Sequence, residues 1–171
     1  DIGNIVSNGA DASNQYRGCT ALTTVPLFNL SKVTNAYAMF AYCPVTTVPL
    51  FNLSNCTSTR SMFYLCSSLT TVPLFNLSSV TDAYAMFSYC SSLTTIPLLD
   101  LSSVTDATTM FIGVTLTTQS YSDFLINLAT LPLQSGVSFH GGNSKYNSAA
   151  AIARAYLISN FGWTITDGGA A

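Results

Sequence analysis

The sequence predicts an α/β protein. It is read as a short solenoid, with parallel strands on one side and short helical turns on the other, closed by a C-terminal α/β unit. Three observations predict this. Four near-copies of one sentence run from Cys19 to Gly113, with Cys19, Cys43, Cys66, Cys90 and Gly113 spaced 24, 23, 24 and 23 residues apart. A fixed period in the low twenties marks a solenoid in which each repeat is one coil. Within each copy the apolar residues recur at a set spacing, and after residue 118 the period gives way to helix and strand patterns.

Taken in order, residues 1–18 are polar and irregular, and read as an N-terminal arm and degenerate coil. Tyr16-Arg17-Gly18-Cys19 echoes the repeat ending Ser88-Tyr89-Cys90. Residues 19–118 hold four coils and a partial fifth that departs from the pattern at Gln119. In the third copy the apolar positions are Leu69, Val72, Leu74, Leu77, Val80, Ala83, Met86, Phe87 and Cys90, the LxxLxLxxL spacing of leucine-rich repeats. The fold class is therefore a leucine-rich-repeat solenoid. Leu69-Thr70-Thr71-Val72 reads as a short strand, paired in parallel with its equivalents. Pro26, Pro49, Pro73 and Pro97 bound it in one column, since proline lacks the N–H a ladder needs. Ala83-Tyr84-Ala85-Met86-Phe87 has the composition of one and a half helical turns, capped by Thr81 or Asp82.

Residues 119–171 form the C-terminal α/β capping unit. Ser120 to Leu131 reads as a helix with Phe124, Leu125, Leu128 and Leu131 on one face. Val137-Ser138-Phe139 reads as a strand. Ser148 caps a second helix, Ala149 to Asn160, that carries Ile152, Ala153, Tyr156 and Leu157 inward and ends at Gly162. Trp163 to Thr166 alternates like a last strand. A solenoid needs its open end covered, and this unit is read as the cover.

The chain has 171 residues and is 49% hydrophobic but 7% charged, with no glutamate, where soluble domains average about 25% charged. The polar surface must then be built from Ser, Thr and Asn. A net charge of −2 gives no electrostatic case for nucleic acid or an anionic membrane. No apolar run of about 18 residues is present to span a membrane. Residue 1 is Asp rather than Met, so the chain is expected to be a processed product or a piece of something longer.

The segments SSLTTVPL, SSVTDAYAMF and FSYC resemble the BspA-like leucine-rich repeats of bacterial surface proteins, found also in phage and parasite proteins. This resemblance covers residues 16–118. The tail from Lys145-Tyr146 through Gly162-Trp163-Thr164-Ile165-Thr166-Asp167-Gly168-Gly169 is similar to C-terminal units of phage tail-fibre and other virion-surface proteins. The family implies adhesion or recognition without catalysis, and supplies no binding residues to carry over.

Most apparent motifs dissolve into columns. Cys19, Cys43, Cys66 and Cys90 share one repeat position, stacked with parallel side-chain vectors that disfavour a disulfide. No CxxC pair points to zinc. Cys56 stands where other copies have Val33, Val80 and Val104, and reads as a small buried hydrophobe. Asn29, Asn52 and Asn76 are sequons at one position where the fourth copy has Asp100, which points to a turn or a bond to the neighbouring backbone. His140, with Asp123 and Lys145 nearby in sequence, has no nucleophile elbow to serve. No catalytic residue, cofactor or metal is expected. The Thr23-Thr24, Thr46-Thr47, Thr70-Thr71, Thr94-Thr95 and Thr117-Thr118 pairs could present hydroxyls as ice-binding solenoids do. The prolines and unequal coil lengths argue against that lattice.

Tyrosine offers large contact area and a polar tip at low entropy cost, so an exposed tyrosine row reads as a contact surface. Phe28, Phe51 and Phe75 read as core or as an exposed stripe. Positions where coils differ are the others to watch. The candidate partner-contact surface is Lys32, Tyr37, Tyr42, Asn55, Arg60, Tyr64, Tyr84 and Tyr89. The expected function is a non-enzymatic, extracellular recognition or adhesion module on a phage virion, such as a tail fibre, binding a host-surface protein or glycan. The alternatives are a structural virion component that packs against neighbouring virion proteins, and a bacterial surface adhesin. Homo-oligomerisation is left open.

Overall fold

Four short elements, all in the tail, are the only named helices and strands among residues 10–171, which are the residues the computed structural model describes. Of the N-terminal arm expected over 1–18, residues 1–9 lie outside the described residues. The four elements are α1 (Thr118–Leu128), β1 (Ser138–His140), α2 (Ser148–Phe161) and β2 (Thr164–Thr166). The repeat copies are instead held by bonds from one copy to the next.

Those bonds concentrate where the helical turns were expected. Parallel bridges join Asp11 to Asn35, Asn35 to Ser58, Ser58 to Asp82 and Asp82 to Asp106, one residue from each copy. From there the N–H groups alternate in their targets. Ala36, Ala38, Phe40 and Tyr42 donate to the carbonyls of Ser58, Arg60, Met62 and Tyr64 at 2.8–2.9 Å. Met39, Ala41 and Cys43 between them donate back within their own copy, to Ala36, Ala38 and Phe40. The same alternation recurs in the third copy, from Ala83 to Cys90.

This replaces the expected helical turn over Ala83–Phe87. A helix spends every N–H internally, on the carbonyl four residues back; here half are exported to the next copy. The alternation needs left-handed residues four apart. Ala38 and Tyr42, Ser61 and Leu65, and Ala85 and Tyr89 all have φ between 51° and 64°. Such values are uncommon away from glycine and cost energy at each position. Bonding to the neighbouring copy holds the chain there.

The expected strand at Leu69–Val72 is also thinner than its sequence indicates. One bridge joins Thr24 to Thr47, and single bonds join Thr70 N–H to the Thr46 carbonyl and Thr117 N–H to that of Thr94. The proline column two or three residues later withholds the donor that would extend the ladder. Leu74, one of the recurring apolar positions, faces out. Phe75 N–H bonds back to the Pro73 carbonyl, and Leu99 N–H to that of Pro97. These tight three-residue turns throw the leucine outward and carry the next residue in.

Phe28, Phe51 and Phe75 are accordingly core. They interleave with Phe40, Phe63 and Phe87 as near-parallel rings, with Phe40–Phe51 at 5.7 Å, Phe51–Phe75 at 6.2 Å and Phe63–Phe87 at 5.7 Å between centroids. Each such pair contributes about 0.5–1.5 kcal/mol beyond its burial. Tyr16 heads the stack, over Phe28 and Phe40. At the other end Phe111 meets Phe124 of α1 and Phe139 of β1 edge-on, at 80° and 74°.

The tail continues the ladder where the copies stop. Ala107 bridges to Phe139, and Phe111 N–H donates to the His140 carbonyl at 3.0 Å. β1 and β2 pair in parallel, Phe139 opposite Ile165. The N-cap of α2 is Asn147, which accepts from Ala150 N–H, rather than Ser148; Gly162 ends the helix in the left-handed region. Its inward residues are Ala150, Ala153 and Leu157. Ile152, expected inside, is 77% exposed, and Tyr156 is exposed too. At 100° per residue Ile152 points away from the 150/153/157 face. A lock joins the tail's parts: Arg154 Nε donates to Asp167 Oδ2 at 2.8 Å, and the buried Tyr121 hydroxyl donates to the same oxygen at 2.9 Å.

Candidate functional site

The alternating backbone builds a concavity on its outer side. Small residues occupy the first of its two left-handed columns (Ala38, Ser61, Ala85), and larger side chains rise around them, Tyr42 and Tyr89 from the second. The second copy departs from its neighbours here, with Ser61 for Ala38 and Ala85, Leu65 for Tyr42 and Tyr89, and two changes of larger consequence. Where the first and third copies have Tyr37 and Tyr84 it has Arg60, and where they have Ala41 and Ser88 it has Tyr64.

The shift of one position sets the tyrosines in a staggered row. Tyr42 and Tyr89 come from the copies on either side, and Tyr64 rises between them over the room left by Ala41 and Ser88. Tyr64 meets Tyr42 edge-to-face at 5.4 Å and Tyr89 at 6.0 Å, with interplanar angles of 76° and 87°. With Tyr37 and Tyr84 these rings line a concavity of about 370 Å³. None of the five hydroxyls is hydrogen-bonded within the described residues. Loss of water, then the neighbouring Tyr42 and Tyr89, raises the Tyr64 phenol above its ordinary value.

Two guanidinium groups border this surface. Arg60 lies over the Tyr84 ring at 3.9 Å and pairs with Asp82 at 3.6 Å and Asp106 at 3.9 Å. Both carboxylates are substantially exposed, so each pair contributes no more than about 1 kcal/mol. Arg17, at the other border, lies 5.4 Å from the Tyr42 ring centre and lines the concavity.

Six of the eight sequence-selected residues thus come together: Tyr37, Tyr42, Arg60, Tyr64, Tyr84 and Tyr89. Lys32 and Asn55 do not join them. Asn55 Nδ2 donates to the Ser31 carbonyl at 2.7 Å, beside Lys32 and outside the concavity. Arg17 was missed. Its signal was its column, since the equivalents are Ala41, Tyr64, Ser88 and Ile112, none of them charged. Also missed was a row of outward leucines, Leu27, Leu50, Leu74 and Leu98, which are 71, 58, 58 and 49% exposed.

The remaining motifs take internal roles. All five cysteines are free. Cys43, Cys66 and Cys90 are buried, and their thiols donate to the carbonyls of Tyr16, Phe40 and Phe63 in the preceding copy. Burial pushes Cys66 up to about 12, Cys56 up to about 11, and Cys90 well above the usual thiol range. Asn29, Asn52 and Asn76 close turns, each Oδ1 accepting from the N–H and hydroxyl of the serine two residues on. His140 Nδ1 accepts from Gly142 N–H, and Asp123 accepts from Gln119. Among the described residues no cluster of three or more His, Cys, Asp or Glu is placed to hold a metal ion, and no helix is long and apolar enough to cross a membrane.

A protein family described as "Mycoplasma protein of unknown function, DUF285" matches residues 10–124, which is 115 of the 171 residues. No curated protein and no solved structure matches the chain.

Proposed function

Because the chain belongs to this family, whose description gives no activity, we propose its function from the site: a non-enzymatic recognition module that binds a surface glycan in the tyrosine-lined concavity. The hydrogen-bonded copies act as a leucine-rich-repeat solenoid that presents this face, and the tail covers its end. The setting is extracellular, on a virion or a bacterial cell surface.

The observation that carries the reading is the staggered row Tyr42–Tyr64–Tyr89 around the concavity, its hydroxyls unbonded within the described residues. Its volume falls within the range of about 300–1,000 Å³ that small-molecule sites occupy. Ring faces accept the C–H-rich side of a pyranose, and the phenol hydroxyls supply donors and acceptors for its hydroxyl groups.

The test is a glycan array probed with labelled wild type and with Tyr64→Ala. Binding to a defined set of glycans that the variant loses, while its circular dichroism and Tm stay near wild type, is the expected result. Retention of the same glycans by the variant overturns the reading. The outward leucines favour a second reading, a structural component that packs against a neighbouring protein.

A further inference from the structure

We propose that the sugar taken by the concavity is anionic, carrying a carboxylate or sulfate, and that Arg17 is the group that selects it. This rests on the recognition reading above. The chain has three arginines, and two of them have carboxylate partners: Arg60 with Asp82 and Asp106, and Arg154 with Asp167. Arg17 has none among the described residues. Among those residues its one hydrogen bond runs from Nη1 to the neutral Oδ1 of Asn14 at 3.3 Å.

A guanidinium carries five N–H donors in a planar fork that matches a carboxylate or sulfate. Arg17 leaves most of that fork unspent at the rim of a ring-lined concavity, beside Tyr42. Stacking does not call for a cation there, because Ala41, Ser88 and Ile112 fill the same column in other copies. The acidic groups at the Tyr84 border, Asp82 and Asp106, are both engaged by Arg60. Long-range attraction is not the source of selectivity either, since the chain has net charge −2. What remains is a local, oriented contact at the Arg17 end. A pyranose stacked on Tyr64 between its neighbours would direct its charged substituent to the guanidinium beside Tyr42.

The experiment is an NMR titration of the full chain with two matched pairs: methyl β-glucuronide against methyl β-glucoside, and galactose 6-sulfate against galactose. The expected result is that at least one anionic member binds about tenfold or more tighter than its neutral twin, a gap of about 1.4 kcal/mol. Arg17→Gln should erase that gap by weakening the anionic member far more than its neutral twin. Arg17→Lys should keep only part of it, since ammonium lacks the fork. Comparing the two pairs tells carboxylate from sulfate. Equal affinities within both pairs, lost together in Tyr64→Ala, overturn the anion proposal and leave sugar recognition standing. A gap that survives in Arg17→Gln also overturns it. If no sugar shifts any groove resonance, both readings fall.

Discussion

The Cys66 thiol donates to the carbonyl oxygen of Phe40, one copy earlier, at 3.1 Å. Cys43 and Cys90 repeat that contact with Tyr16 and Phe63, so the cysteine column is a chain of buried donors from Cys43 onward, while Cys19, expected to pack with them, is exposed at its open end. Cys66→Ser is expected to lower stability by about 1–2 kcal/mol, through lost volume and a misplaced donor. Denaturant melts should give the same loss with and without reductant. A non-reducing mass spectrum that links Cys43 to Cys66 would contradict this.

These thiols also set an alkaline limit. In the unfolded chain a thiol ionises near its ordinary value of 9; in the fold Cys56 and Cys66 hold their protons to about 11 and about 12. The unfolded state therefore binds fewer protons above pH 9, and stability falls as pH rises, by up to about 1.4 kcal/mol per pH unit for each such thiol. Below pH 9 these groups leave stability unchanged. A Tm series from pH 7 to 11 should bend downward past 9. Cys56→Val, the residue of three other copies, should make the fall shallower. An equal slope in that variant would remove the thiols as its cause.

The two ring columns differ in tolerance. Phe63 touches rings on both sides, Phe40 and Phe87, and Phe63→Ala should cost about 3–5 kcal/mol. Phe75→Leu should cost less than about 1.5 kcal/mol, because the fourth copy already uses Leu99 there. Urea midpoints decide between these sizes. Equal losses would mean that the interleaved stack is not what the rings contribute.

Asp167 holds two donors on one buried oxygen, from Arg154 and Tyr121. Asp167→Ala leaves a half-buried guanidinium and a buried hydroxyl without that acceptor. The expected cost is about 3–5 kcal/mol. Hydrogen exchange should show α1 and α2 loosening first. Fast exchange appearing instead in the first two copies would overturn the assignment of this lock to the tail.

The sequence made the columns readable and the backbone path between them less so. Cys66, Phe63 and Asn52 recur at the copy period, so their shared role could be inferred without coordinates. Ala85 could not be placed this way. Its segment has good helical composition, and only the presence of acceptors one copy away turns it to φ 53°. Whether Phe75 faced in stayed open for a related reason, because only the three-residue turn after Pro73 sends Leu74 out and carries Phe75 in. In α2, apolar residues occur all round the helix, so periodicity alone could not separate Ile152 from Leu157. The five groove tyrosines were legible as a loosely recurring row, and Arg60 and Tyr64 as departures from the repeat. Arg17 was hidden in the degenerate coil before the first copy, where there was little pattern to depart from.

The bond from Phe111 N–H to the His140 carbonyl means that the last copy meets the tail through the same kind of contact it would make with another copy. The two neighbours are interchangeable at that junction. Duplicating residues 67–90 would therefore push the tail outward by one step and leave Arg17, Tyr42 and Tyr64 undisturbed. The reach between the tyrosine face and whatever the tail touches is set by a whole number, and it changes by gene duplication in increments of 23 or 24 residues rather than by point mutation.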